Sequence, residues 1–245
     1  MRKLAALPLL IFPLFAFADC TEQLQGWAKA LHPALVFDSE HAVCKINPAD
    51  PKQVLAALTF TDTAPDEYGE GDYGLEVLVA DAATGDVIAH HYQSAAISSD
   101  AIRFESLALD TARYQLAPKT RAFGVRVSYE GASRVNPYGG TSLSLYVLDG
   151  SVLRRVMDKL MVNDSTGEWD GNCAGDFSDT TRTLSIGDMG KKGLANLVID
   201  EKVTASHDQP KGDDCESIDK KPATAKFTLD YDGRQYGVPK GLTFQ

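Results

Sequence analysis

The chain has 245 residues, 44% hydrophobic and 24% charged, with 34 acidic and 24 basic side chains giving a formal net charge of −10. This composition excludes disordered, collagen-like and coiled-coil chains and leaves enough residues for a sizeable core. An acidic balance repels phosphate backbones and anionic lipid, which argues against nucleic acid as a partner.

Arg2 and Lys3 precede an apolar run from Leu4 to Phe17, and Ala16-Phe17-Ala18 places small residues where a signal peptidase cuts. The expected processing site lies between Ala18 and Asp19, so residues 1–18 read as a signal peptide. Removing Arg2 and Lys3 takes the charge from −10 to −12. The run is shorter than a membrane span and contains Pro8 and Pro13, so no membrane anchor is expected. Asp19 before Cys20 opposes lipid attachment. The expected location is therefore the periplasm or the exterior. Four cysteines in such a compartment predict two disulfides. Of the three possible pairings, Cys20 with Cys44 and Cys173 with Cys215 is the most local.

In chain order, Thr21 reads as a helix cap, and Leu24, Trp27, Ala28 and Leu31 recur at helical spacing before Pro33. Asp50-Pro51 repeats the start signal, and Val54, Leu55 and Leu58 predict a second helix. Residues 19–58 thus read as a helical, disulfide-tied cap. An acidic, glycine-bearing loop follows from Thr61 to Tyr73. From residue 59 to 245 the period becomes two. Phe123, Val125, Val127 and Tyr129 alternate with polar residues, as do Leu143, Leu145 and Val147, and Ala225, Phe227, Leu229 and Tyr231. Further strands are expected at 75–80, 87–92, 104–109, 181–186 and 194–204. Val152 to Met161 fits a helical face, yet the Asp149-Gly150 turn before it favours a returning strand. Ala83-Thr84-Gly85-Asp86, Asp149-Gly150 and Asp232-Gly233 supply hairpin turns, and Gly139-Gly140 reads as a loop. The expected fold is mostly β: one domain, 19–245, built as an antiparallel β-sandwich or as partial propeller-like sheets.

The stretch 185–199, Ser-Ile-Gly-Asp-Met-Gly-Lys-Lys-Gly-Leu-Ala-Asn-Leu-Val-Ile, resembles the strand-loop-strand unit of FG-GAP or VCBS-type propeller repeats. Asp188, Gly193 and Asn196 match the calcium loop of that unit, whereas Gly190 and Lys192 replace side-chain oxygens. The resemblance implies a loop that keeps its backbone shape without its ion. It occurs once, so it does not extend to a full propeller.

Candidate chemistry is sparse. The segment 164–179 carries Asp164, Glu168, Asp170, Asn172, Asp176 and Asp179 and reads as a solvated loop pinned by Cys173. Its EF-hand-like start fails, because Ala174 and Thr181 stand at ligand positions. His90 and His91 are adjacent, so on a strand they face opposite ways and cannot share an ion. No metal site and no cofactor are expected. A G-x-S-x-G elbow is missing, and Ser217 and Lys220 match S-x-x-K without the helical surroundings that motif needs. No catalytic residue is assigned. The segment from Ser128 to Tyr138 leaves an alternating strand and concentrates Tyr129, Arg134, Asn136 and Tyr138 around Gly131 and Pro137, with Arg126 just upstream. Arg and Tyr are the side chains that dominate binding energetics, so these five form the expected binding site.

The expected function is an exported, non-enzymatic binding protein. Its partner would be another protein or an envelope component, with a basic cell-envelope enzyme that it binds or inhibits as the sharper form. The alternative is a periplasmic hydrolase acting on polysaccharide or ester through loop carboxylates such as Asp170 and Asp176.

Overall fold

The structure, a computed structural model, describes residues 20–61 and 70–244. The expected signal peptide and most of the acidic loop from Thr61 to Tyr73 lie outside the described residues.

One helix, α1 (Thr21–Leu31), opens the fold and buries Leu24, Trp27 and Ala28. Cys20, rather than Thr21, occupies its N-cap, and Trp27 fixes the helix by donating from Nε1 to the Gly85 carbonyl at 2.7 Å. Four antiparallel strands follow in the first sheet, in sequence order: β1 (Val36–Ile46), β2 (Gln53–Thr61), β3 (Gly71–Asp81) and β4 (Val87–Ser99). The second helix expected at Asp50 is β2. Its residues Val54 to Thr61 are all buried, because α1 covers one face of the sheet and the second sheet covers the other. A strand buried on both faces needs no alternation, and its apolar run mimics helical spacing. The helical part of the cap therefore ends at Leu31.

The second sheet is a long meander: β5 (Ile102–Ala117), β6 (Thr120–Gly131), β7 (Tyr138–Asp149), β8 (Val152–Trp169), β9 (Gly175–Met189) and β10 (Ala195–Lys211). On the far edge of β10 lie both β11 (Asp214–Asp219), beside residues 206–211, and β12 (Ala223–Leu229), beside residues 197–203. Val152 to Met161 is thus a strand, as the turn before it requires. Gly139-Gly140 lies inside β7 rather than in a loop. A Cβ on Gly140 would sit 2.5 Å from the Tyr138 hydroxyl, so the glycine lets that ring lie along the strand. The 164–179 segment is also no loop; β8 runs on to Trp169 and β9 restarts at Gly175, which leaves a tight turn.

Three apolar layers hold these parts together. Residues of α1 meet Val54, Ala56, Leu58, Leu78 and Ala80 on the outer face of the first sheet. Leu55, Ala57, Val77 and Val79 on its inner face meet Phe123, Val125, Val127 and Tyr146. The opposite side of the meander, with Leu143, Leu145 and Val147, meets Leu197, Ile199, Leu229 and Tyr236. This third layer forms because β9 pairs with β8 only from Asn163 onward, so the β9–β10 ribbon turns back across the sheet. The edge of β8 left free is covered by the segment after β12: Tyr236 donates its N–H to the Val156 carbonyl at 2.7 Å, and Leu160 bridges to Thr243.

Both disulfides join the expected partners. Cys20–Cys44 ties the start of α1 to β1, and Cys173–Cys215 ties the β8–β9 turn to β11, with sequence separations of 24 and 42. Closing loops of that length removes about 3–4 kcal/mol of unfolded-state entropy apiece in the chain-entropy account.

Candidate functional site

The β6–β7 loop is held by its own backbone. The Asn136 N–H donates to Ser133 Oγ at 3.0 Å, Trp169 donates to the Val135 carbonyl at 2.7 Å, and Gly167 donates to that of Pro137 at 3.0 Å. Ala132 donates to Ala101 on the other side. The loop thus continues the pairing of β8 and presents Asn136 and Tyr138 in fixed positions.

Tyr138, Thr166 and Ser178 are cross-strand partners on β7, β8 and β9, and Glu168 opposes Asp176 one step further on. Partners share a face. These side chains, with Asn136, Pro137, Phe177 and Lys220, line a cleft of about 470 Å³. Lys220 donates from Nζ to Asp176 Oδ1 at 2.9 Å, and His207 Nδ1 lies 3.2 Å from the same oxygen. Those two bonds hold the Asp176 carboxyl below the usual carboxylate range. Asp170 is lowered as well, by the N–H groups of Asn172 and Ala174 that its Oδ1 accepts in the β8–β9 turn.

Asp164 behaves in the opposite sense. It opposes Gly140 and Thr180, its Oδ1 has no hydrogen-bond partner, and burial raises its pKa against the attraction of Arg182. Burial of the Tyr138 hydroxyl, and after it the nearby Asp164 charge, raise the tyrosine's pKa.

The five residues expected to bind are divided. Asn136 and Tyr138 line the cleft, and Arg134 is exposed on the same loop. Tyr129 is buried, 3% exposed, with its ring stacked on Phe244 at 4.0 Å. Arg126 sits on the other face of β6, where Nη2 meets Asp110 Oδ2 at 2.7 Å. That aspartate also accepts from the Tyr114 hydroxyl and so closes the bulge of β5. Tyr129 and Arg126 are thus committed to packing, as their strand positions three apart on opposite faces dictate. Of the expected site, 134–138 stands at the surface.

His90 and His91 face opposite sides, as adjacent strand residues must. His90 Nδ1 lies 3.2 Å from Glu76 Oε2, and His32 Nε2 lies 2.7 Å from the same oxygen. Glu76 is completely buried. His91 turns inward to Tyr146; burial and the charge of Arg155 lower its pKa. Sequence gave no sign of the Glu76 cluster, since His32 ends the helix and its partners lie 44 and 58 residues further on. Among the described residues no group of three or more His, Cys, Asp and Glu side chains is disposed to hold a metal ion, and no helix is long and apolar enough to cross a membrane. The 185–199 stretch is the β9–β10 hairpin, with Gly193 at φ +92°.

Comparison with protein-family models, curated proteins and solved structures finds no match to this chain.

Proposed function

We propose that this chain is an exported, non-enzymatic binding protein whose working surface is the acidic end of the second sheet, and that its partner is a basic protein of the cell envelope. The observation that carries this reading is the Cys173–Cys215 bond, which braces two acidic hairpins beside the Asn136–Tyr138 cleft. Glu168, Asp170, Asp176, Asp208, Asp213, Asp214, Glu216 and Asp219 stand there against Lys211, Lys220, Lys221 and Arg134, a clear excess of negative charge. Rigid, predominantly negative charge around an aromatic cleft favours fast, steered encounter with a cation-rich surface. The hydrolase alternative draws less support, because a general acid needs a raised pKa and Asp170 and Asp176 are lowered, while Asp164, which is raised, keeps its Oδ1 buried away from solvent.

Stopped-flow association with a basic lysozyme as the probe tests the reading. The expected association rate constant falls at least tenfold between about 20 and about 300 mM salt, as steering by exposed charge requires. It also drops several-fold in the Glu168→Gln/Asp219→Asn double variant. A rate constant indifferent to salt and to both substitutions overturns it.

A further inference from the structure

The opposite face of the same sheet end carries a second surface. Ser128, Thr141, Asn163, Thr181 and Lys202 are successive cross-strand partners on β6, β7, β8, β9 and β10. Partners share a face, so the five side chains form one row about 19 Å long, at about 4.8 Å per strand. Two grooves of about 440 and 680 Å³ open along it, and Thr181 lines both. The first four residues of the row are short and uncharged. An exposed sheet face is ordinarily covered by long charged side chains; here nothing longer than asparagine stands between a ligand and the backbone of four strands.

Charge selects the occupant. On the face of the row Asp200 is paired with Lys226 at 3.0 Å, whereas Asp164 and Glu201, which also border the grooves, alternate to the other face of their strands, where Arg182 meets Glu201 at 2.7 Å. Asp179 and Lys202 contribute one charge of each sign. In a chain of net charge −10 the groove-lining charges on this face, Asp179 and Asp200 against Lys202 and Lys226, balance. A polyanion or a polycation gains no net attraction there, whereas an uncharged chain of hydroxyl groups meets a hydrogen-bonding side chain at every strand. We propose that this row binds an uncharged β-linked polysaccharide laid across the strands, since the ring-to-ring repeat of a β-1,4 pyranose chain is close to the inter-strand spacing. The site is separate from the acidic cleft, on the other face of β7–β9.

Titration calorimetry with cellohexaose and chitohexaose tests it on the intact chain. Binding at sub-millimolar sugar, unchanged between low and high salt, is expected. Thr181→Val and Asn163→Leu each alter an exposed position and should weaken binding at least fivefold while leaving the melting temperature and the association rate with the basic probe unchanged. No heat at millimolar sugar overturns the proposal, as does affinity that falls with salt, which marks a charged occupant. Variants that bind like the parent also overturn it, because the sugar then lies elsewhere. None of these results bears on the acidic cleft, whose failure is read in the association rate alone.

Discussion

Among the described residues, Asp164 is a carboxyl whose surroundings oppose its charge. Its folded pKa is raised by burial, so the folded chain holds this proton more tightly than the unfolded chain does. Stability therefore falls as pH rises from the ordinary aspartate value of about 3.9 through the raised one. Asp164→Asn is expected to raise the urea midpoint at pH 7 by an amount equivalent to no more than about 1 kcal/mol, given partial solvent screening. The gain should vanish below about pH 3.9. A gain that persists in acid means that volume or hydrogen bonding, not charge, is responsible. Residue-level reading of the sequence placed Asp164 among its acidic neighbours without separating it from them. The distinction comes from the strand pairing that turns it toward Tyr138 and Arg182 while Asp170 turns back to cap its own hairpin.

At the scale of elements, the segment after β12 completes the edge of β8. Tyr236 is 2% exposed, and its hydroxyl donates to the Ala195 carbonyl at 2.6 Å. Tyr236→Phe keeps the ring and orphans that carbonyl, so it should cost about 1–2 kcal/mol in equilibrium unfolding. A change below a few tenths of a kcal/mol indicates that the carbonyl finds another donor. Alternating elements were legible because small or polar residues separate their apolar ones, as Ser142 and Ser144 do in β7, even where both faces are covered. The β6, β7 and β12 patterns and the Asp149-Gly150 and Asp232-Gly233 turns needed no tertiary information; Gly150 and Gly233 both take positive φ, at +62° and +105°. The β2 segment was misread for the converse reason, since the layer on each side of it erases the period. No local pattern marked the departure of β9 from β8, because it depends on which strand pairs stop.

Across the whole molecule, the contact between the two sheets contains a polar patch. His91 and Gln93 of β4 meet Tyr146 of β7 and Arg155 of β8; Arg155 donates to Gln93 and pairs with Asp158 at 3.0 Å. Burial and the nearby guanidinium keep the His91 pKa low, so the unfolded chain takes up a proton there that the folded chain refuses. Stability must fall as pH drops through the ordinary histidine value of about 6.5. His41 acts in the opposite direction, because its hydrogen bond to Asp38 raises its pKa. The useful measurement is therefore the difference between the parent and His91→Gln. Its melting temperature should decline less than that of the parent from about pH 7.5 to about pH 5.5; parallel curves refute the assignment. The two disulfides and the mostly antiparallel architecture were readable from the sequence. The stacking of a helix, a sheet, a meander and its own returning ribbon was not, because it is set by contacts between segments as distant as Val156 and Tyr236.

That last contact has a temporal consequence. The open flank of β8 is sealed by residues synthesised some eighty positions later, so a ribosome must travel through Thr243 before this strand loses its unpaired carbonyls and amides. Until then the nascent chain carries a ready template for pairing with a neighbour. Proteolytic removal of the segment between Leu229 and Tyr236 returns it to that condition, which makes this tail the place where self-association would begin.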